Sequence, residues 1–280
     1  MTISDLRPLS LGEILDRTLS LYRQHFVLFV GIAALPQLLN LALSLAQVWT
    51  GRVAGGHKQV AVAVAAAGFI GGLVGVVVYL VVYLFAQGGT VYAVSEIYLG
   101  RPATIGASLK RMRGQVGNLF GVTLLNGLVI GIATILLIVP GIYMACRLIT
   151  CVPAALLEDL GPRDSLERSY RLTEDSAGRS FVIYLLYFFL LYAAVLLFIL
   201  PFSVASRLTA NDPGSVWVWL VLGQVGNFLA TTLVTPILTI ATAVFYYDLR
   251  VRKEAFDLQL LMNQVGRTAR PSAGVGTTLY

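Results

Sequence analysis

The stretch FVIYLLYFFLLYAAVLLFILP, residues 181–201, contains no charged side chain and presents no polar face in any periodicity. Strands of a transmembrane barrel alternate apolar and polar residues, so this run is not a barrel strand. About 20 apolar residues cross a hydrocarbon core of about 30 Å as one helix, with every backbone group bonded internally. The same texture recurs on both sides of it. Working outward, spans are expected at residues 26–49, 60–86, 117–139, 142–157, 181–204 and 216–247. The expected fold class is therefore an all-α polytopic membrane protein of six helices.

Composition agrees with this reading. Hydrophobic residues make up 57% of the 280 positions and charged residues 12%, against roughly 25% charged in soluble domains. The spans form one domain over residues 1–262, and the small, polar stretch 263–280 is expected to be a disordered tail. Pro36, Pro201 and Pro236 fall inside spans and are expected to interrupt or kink them. Pro140-Gly141 reads as a tight turn between spans three and four. The second span could continue past Gly88-Gly89 to Leu99, which requires either a bend at the glycines or projection beyond the membrane. The sixth is over-long in the same way.

The distribution of cations sets an expected orientation. Sixteen Lys and Arg fall in the N-terminal segment, the loops after spans two and four, and the C-terminal segment, against three on the other side (Arg52, Lys58, Arg207). Cytoplasmic loops retain positive charge, so both termini are expected in the cytoplasm. The net charge of +6 then reflects topology and contact with anionic headgroups, and it gives no support for nucleic acid as a partner. Membrane lipids and a membrane protein are the partners expected; the oligomeric state is left open. The N-terminus lacks the basic-then-apolar order of a secretory signal. Instead, residues 9–24 read as an amphipathic helix opened by the S-x-x-E capping signature Ser10 to Glu13. It could lie in the membrane interface or pack on the protein's own charged face.

Three segments share a pattern. Leu15-Asp16-Arg17, Leu109-Lys110-Arg111 and Leu166-Glu167-Arg168 each precede a span, and Phe120 to Pro140 repeats the spacing of Phe181 to Pro201. This suggests three units, each an interfacial helix followed by two spans. Repeat interfaces often enclose cavities in transporters.

Catalytic chemistry has little to work with. The chain has two histidines, His25 at a membrane edge and His57 in a glycine-rich loop, and two cysteines, Cys146 and Cys151, whose spacing suits neither a zinc site nor a redox pair. No protease, hydrolase or nucleotide-loop motif is present. No cofactor, metal or enzymatic activity is expected. Ionisable and polar groups within spans are functional candidates by default. They are Glu96, Arg147, Asn126, Gln224 and Asn227, with a Glu96–Arg147 pair as one possibility and Arg147 bonding to a carbonyl as the other. Arg17, Arg111, Arg168 and Arg250 form a candidate cytoplasmic interface. The G-x-x-x-G pairs Gly68/Gly72, Gly71/Gly75, Gly117/Gly121 and Gly127/Gly131 read as close helix packing inside the monomer, with dimerisation as the alternative.

Three stretches resemble bacterial proteins carrying the glycerophosphoryl diester phosphodiesterase membrane domain. They are Leu9-Ser10-Leu11-Gly12-Glu13-Ile14-Leu15-Asp16-Arg17, then Val139-Pro140-Gly141-Ile142-Tyr143 with Ser165-Leu166-Glu167-Arg168-Ser169-Tyr170-Arg171-Leu172-Thr173, and finally Tyr246-Tyr247-Asp248-Leu249-Arg250. One departure is Glu174-Asp175, where the family often has a glycine. The resemblance implies a bacterial inner-membrane module of the membrane part only. Phosphodiesterase activity belongs to a separate soluble barrel and is not carried over. Two functions are expected to compete: a non-enzymatic module organising lipid or membrane partners, and a transporter or permeation pathway for a lipid-like or small amphipathic molecule.

Overall fold

The computed structural model describes residues 8–54 and 58–254, with side chains at 8–52, 71–212 and 214–254. The expected tail at 263–280, His57 and the side chain of Gly68 lie outside the described residues. The described chain is helical throughout: α1 (Leu11–Gln24), α2 (Phe26–Ala54), α3 (Lys58–Tyr98), α4 (Ile105–Arg111), α5 (Val116–Leu136), α6 (Ile138–Arg147), α7 (Cys151–Leu157), α8 (Pro162–Leu172), α9 (Ala177–Phe198), α10 (Leu200–Leu208) and α11 (Pro213–Glu254). Six segments are long and apolar enough to cross a membrane: Phe26–Arg52, Gly71–Tyr98, Val116–Leu136, Ile138–Leu157, Ala177–Leu208 and Gly214–Glu254. The protein is an all-α, multi-pass membrane protein.

The first helix starts where its capping box dictates. The Glu13 N–H bonds to the Ser10 hydroxyl, and the Ser10 N–H bonds back to the Glu13 carboxylate at 2.6 Å. Its apolar stripe, Ile14, Thr18, Leu21 and Tyr22, is buried. That settles the choice left open by amphipathicity: α1 packs on the protein's own charged end, chiefly against α11.

The over-long second span continues as one unbroken helix. At 41 residues α3 is about 60 Å along its length at 1.5 Å per residue, twice a hydrocarbon core. Its two glycines serve packing. A Cβ on Gly88 would stand 2.1 Å from the Met112 sulfur, and one on Gly89 3.0 Å from the Leu109 side chain. The missing side chains let α4 lie directly on α3. The 42-residue α11 runs likewise through Pro236 as one helix. Proline removes a backbone donor from the helix ladder, and beside that gap the Tyr22 hydroxyl donates to the Leu233 carbonyl at 2.8 Å. Pro36 also sits inside an uninterrupted α2.

The turn between spans three and four falls earlier than the sequence reading placed it. Leu137, extended at φ −162°, separates α5 from α6, and Pro140-Gly141 lie in the first turns of α6. Proline is tolerated there because the first helical N–H groups lack intrahelical acceptors. Gly141 is needed because the returning helix lies on Thr134, whose Cα would be 2.8 Å from an added Cβ. The equivalently spaced Pro201 does something else. The backbone at Ile199 stays near helical (φ −112°, ψ −43°), so α9 and α10 form one broken span. Span four is broken too, at residues 148–150 between α6 and α7.

The main core gathers at the charged end. Ile14, Phe29, Ile32, Ile183, Phe245 and Tyr246 are fully or almost fully buried there. Toward the other end, large apolar side chains such as Ile135, Leu137, Leu197 and Leu208 are exposed, as expected where lipid replaces water as solvent. In terms of the three sequence units, each interfacial helix packs on the second span of the unit before it: α4 on α3, α8 on α7, and α1 on α11. The last contact joins the first unit to the third, so the three helices form a collar of separate pieces at one end of the bundle, packed on α3, α7 and α11.

The glycine pairs divide. Gly75 packs on Leu43 of α2 and Gly121 on Pro162 of α8, but Gly71, Gly72, Gly117, Gly127 and Gly131 meet nothing within 4 Å. For these five, close packing within the chain is not what the glycine provides, and the expectation is corrected.

Candidate functional site

The second spans end in acids, Glu96 on α3, Glu158 after α7, and Asp248 and Glu254 on α11, and arginines converge on them. On α3, Glu96 accepts from Arg111 of α4 and lies 3.6 Å from Arg101. At the end of α7, Glu158 accepts two hydrogen bonds from the Arg168 Nε and one from its Nη2, at 2.8 to 3.1 Å, and also the Tyr246 hydroxyl at 2.6 Å. Arg168 continues to Glu254 at 2.5 Å, and Arg250 bridges Glu254 and Glu158. On α11, Asp248 has a fully buried side chain. It takes Arg179 at 2.9 Å, Arg252 at 3.0 Å and the Leu9 N–H at 2.7 Å, while Arg179 and Arg252 both donate to the Leu9 carbonyl. The start of α1 is thereby fastened to the end of α11.

Local backbone geometry places Glu158. Asp159 follows α7 in the left-handed region (φ 51°), and the Leu160 N–H returns to the Ala155 carbonyl, the six-to-one bond of a Schellman ending. Burial alone would raise the Glu158 carboxyl. The hydrogen bonds of Arg168 and Tyr246, with the charges of Arg168 and Arg250, outweigh it and hold the group below its ordinary value.

The projecting helices are fastened to each other by aromatics. Tyr98 and Tyr247 stack at 4.9 Å with rings 6° from parallel, and the Tyr247 hydroxyl donates to Ser95 at 2.8 Å or accepts from it. Arg17 of α1 lies 5.8 Å over the Tyr98 ring.

Arg147 does not pair with Glu96. Its guanidinium lies 3.8 Å over the Tyr170 ring and donates to the Tyr170 carbonyl at 2.9 Å and the Thr173 carbonyl at 3.5 Å. Those are carbonyls at the C-terminal end of α8, where a helix leaves acceptors free and favours a cation. The Arg147 carbonyl, at the break after α6, accepts from Ser169 at 3.0 Å and Thr173 at 2.7 Å. Residue 147 therefore exchanges bonds in both directions with α8 and holds the α6–α7 break to the collar. Its Nε is buried with no partner.

The five intramembrane candidates do not form one site. Glu96 belongs to the α3–α4 contact and Arg147 to α8. Asn126, midway along α5, has a buried side-chain carbonyl without a partner. Gln224 and Asn227 are half-buried on α11, about 30 Å from the level of Asp248 by helix rise. The four interface arginines divide as well. Arg111 is 53% exposed on its side chain and spans Glu96 and the Tyr92 ring, whereas Arg168 and Arg250, at 20% and 18%, are shielded inside the Glu158–Glu254 cluster. Sequence reasoning did not assign site roles to Glu158, Arg179, Asp248 or Glu254. The available signal was the i, i+4 pairs Asp248/Arg252 and Arg250/Glu254 at the end of an otherwise apolar helix.

Cys146 and Cys151 are buried free thiols. Among the described residues no group of three His, Cys, Asp or Glu is placed to hold a metal ion. Among the open grooves lined by described residues are two of similar size. One of about 470 Å³ lies between α2 and α11, lined by Leu45, Trp49, Arg52, Trp217 and Val221, away from the collar. The other, about 530 Å³, lies between α3 and α4, lined by Phe85, Gly106, Leu109, Lys110 and Arg113. No family model, curated protein or solved structure matches the chain.

Proposed function

We propose that this protein is a non-enzymatic module of a bacterial inner membrane, with both termini cytoplasmic, that organises lipid or membrane partners around its charged collar. One observation carries the reading: three amphipathic helices pack on α3, α7 and α11 at one end of the bundle and leave exposed cations there, among them Lys110, Arg113, Arg163 and Arg171. The shielded arginines Arg168, Arg179 and Arg250 pair with internal acids, Arg147 bonds to backbone carbonyls, and among the described residues the polar span residues do not gather at one site. The sequence resemblance to the glycerophosphoryl diester phosphodiesterase membrane domain supports the same assignment.

The test is native mass spectrometry of the full chain released from mixed-lipid membranes, paired with leaflet-transfer measurements in vesicles. Retained lipid or a retained protein partner, with lipid transfer no faster than in protein-free vesicles, is the expected result. A reporter fused after Tyr280 should be active only inside the cell; activity outside would overturn the orientation. The second reading, a permeation pathway for lipid-like molecules, draws on the groove beside Trp49, Arg52 and Trp217. Protein-dependent transfer that a bulky residue at Val221 abolishes would establish it in place of the first.

A further inference from the structure

The groove between α3 and α4 has features that the collar's internal ion pairs lack. Lys110 and Arg113 line it and are exposed, and neither has an ion pair or side-chain hydrogen bond among the described residues. Arg111, between them in sequence, is already committed to Glu96 and the Tyr92 ring. The two flanking cations are therefore left for something outside the chain.

Their depth in the fold narrows what that is. Leu109 packs against Gly89 and Met112 against Gly88, so Lys110 and Arg113 stand level with that turn of α3. Arg113 also precedes by three residues the start of α5 at Val116, where an apolar span begins. The cations thus mark the edge of the apolar body. Directly below them, Phe85, Val81, Val78 and Val74 follow one another at helical spacing down α3. Val81, Val78 and Val74 are 39%, 45% and 60% exposed. A cationic mouth therefore continues into an open apolar stripe.

We infer that this groove binds one anionic phospholipid, with its phosphate between Lys110 and Arg113, its glycerol against Gly106 and Leu109, and an acyl chain along Phe85 to Val74. A soluble phosphate would use the mouth but leave the stripe uncovered, and a zwitterionic lipid would use the stripe but carry an opposing charge to the mouth. The inference rests on the lipid-organising reading above and names its site.

The experiment compares retention of phosphatidylglycerol and phosphatidylcholine of identical acyl chains by the purified full chain, using native mass spectrometry. The wild type should retain phosphatidylglycerol preferentially. The K110Q/R113Q double variant should bind it roughly 30-fold more weakly, at about 1 kcal/mol per cation and 1.4 kcal/mol per tenfold. Phosphatidylcholine binding should be unchanged. R163Q/R171Q removes the same charge from the exposed face of α8 and should leave phosphatidylglycerol affinity intact. Equal loss in both double variants would overturn the site in favour of diffuse surface charge. Displacement of phosphatidylglycerol by an equal concentration of glycerol 3-phosphate would overturn the lipid assignment. A K110Q/R113Q protein that retains phosphatidylglycerol like the wild type sinks this inference alone. A wild type that retains neither lipid nor a partner sinks the proposed function with it. All sites altered are exposed, and matching melting curves exclude misfolding as the cause.

Discussion

At the collar end, helices meet through buried acids, stacked tyrosines and fully enclosed aromatic side chains. Away from it, the same spans splay apolar side chains outward, and Gly71, Gly72, Gly127 and Gly131 have open space beside them. Both ends are built from the same helices, so propensity does not distinguish them. Solvent does. Where helices leave the hydrocarbon, burying apolar surface becomes favourable again, and the amphipathic α1, α4 and α8 supply what is buried. Within lipid that driving force is absent and close packing must come from shape. The stability of this protein should therefore be concentrated at one end.

Substituting at matched positions on the two ends tests this. The largest effect is expected at Asp248, whose buried carboxylate holds two arginines and the start of α1. Asp248→Asn should cost about 3 kcal/mol or more, as when a buried ion pair loses one member. Arg207→Gln at the far end should shift thermal unfolding in detergent scarcely at all. Equal shifts would break the comparison. Next comes the hairpin tip, a far-end site where shape is demanding. Gly141→Ala would press on the Thr134 backbone and should cost about 1–3 kcal/mol. Gly131→Ala on the opposing helix, with open space around it, should be neutral or gain up to about 1 kcal/mol.

A smaller effect follows from Glu158, whose carboxyl is held below its ordinary value. A depressed acid contributes stability above its unfolded pKa, about 4.3, and loses it as pH falls through the folded value. The wild-type melting temperature should drop over that interval, and Glu158→Gln should drop less steeply because its contribution is already missing. An identical acid limb in the two proteins would show that the cluster does not couple to unfolding. The smallest effect is a gain. Asp175 has φ 22° and is 90% exposed on its side chain. Asp175→Gly should raise stability by up to about 1 kcal/mol by relieving the left-handed backbone, less the weak contact to Lys253.

The sequence made the spans legible because hydrocarbon imposes length and polarity on them without reference to any neighbour. The capping box at Ser10 was readable for the same reason, since its partners are three residues apart. What could not be read depended on distant neighbours. Pro140 and Pro201 sit at the same distance from their phenylalanines, yet one follows a reversal at Leu137 and the other follows a kink at Ile199. The role of Gly88-Gly89 was hidden because it is set by Met112 and Leu109, which approach from another helix. For Arg147 the sequence left two partners open, Glu96 or a carbonyl, and the carbonyls of Tyr170 and Thr173 are the ones it meets; which carbonyls could not be read, because backbone acceptors leave no residue-type signature.

The bond between Leu9 and Asp248 joins residues 239 apart in sequence, and this has a consequence for how the protein is made. Among the described helices, α1 leaves the ribosome before all the others and packs on α11, which follows them. At synthesis rates of about 5–20 residues per second, α1 waits roughly 10–50 s before α11 exists. Through that interval Ile14, Leu21 and Tyr22 have no α11 to cover them. The collar is therefore completed only after synthesis has reached α11.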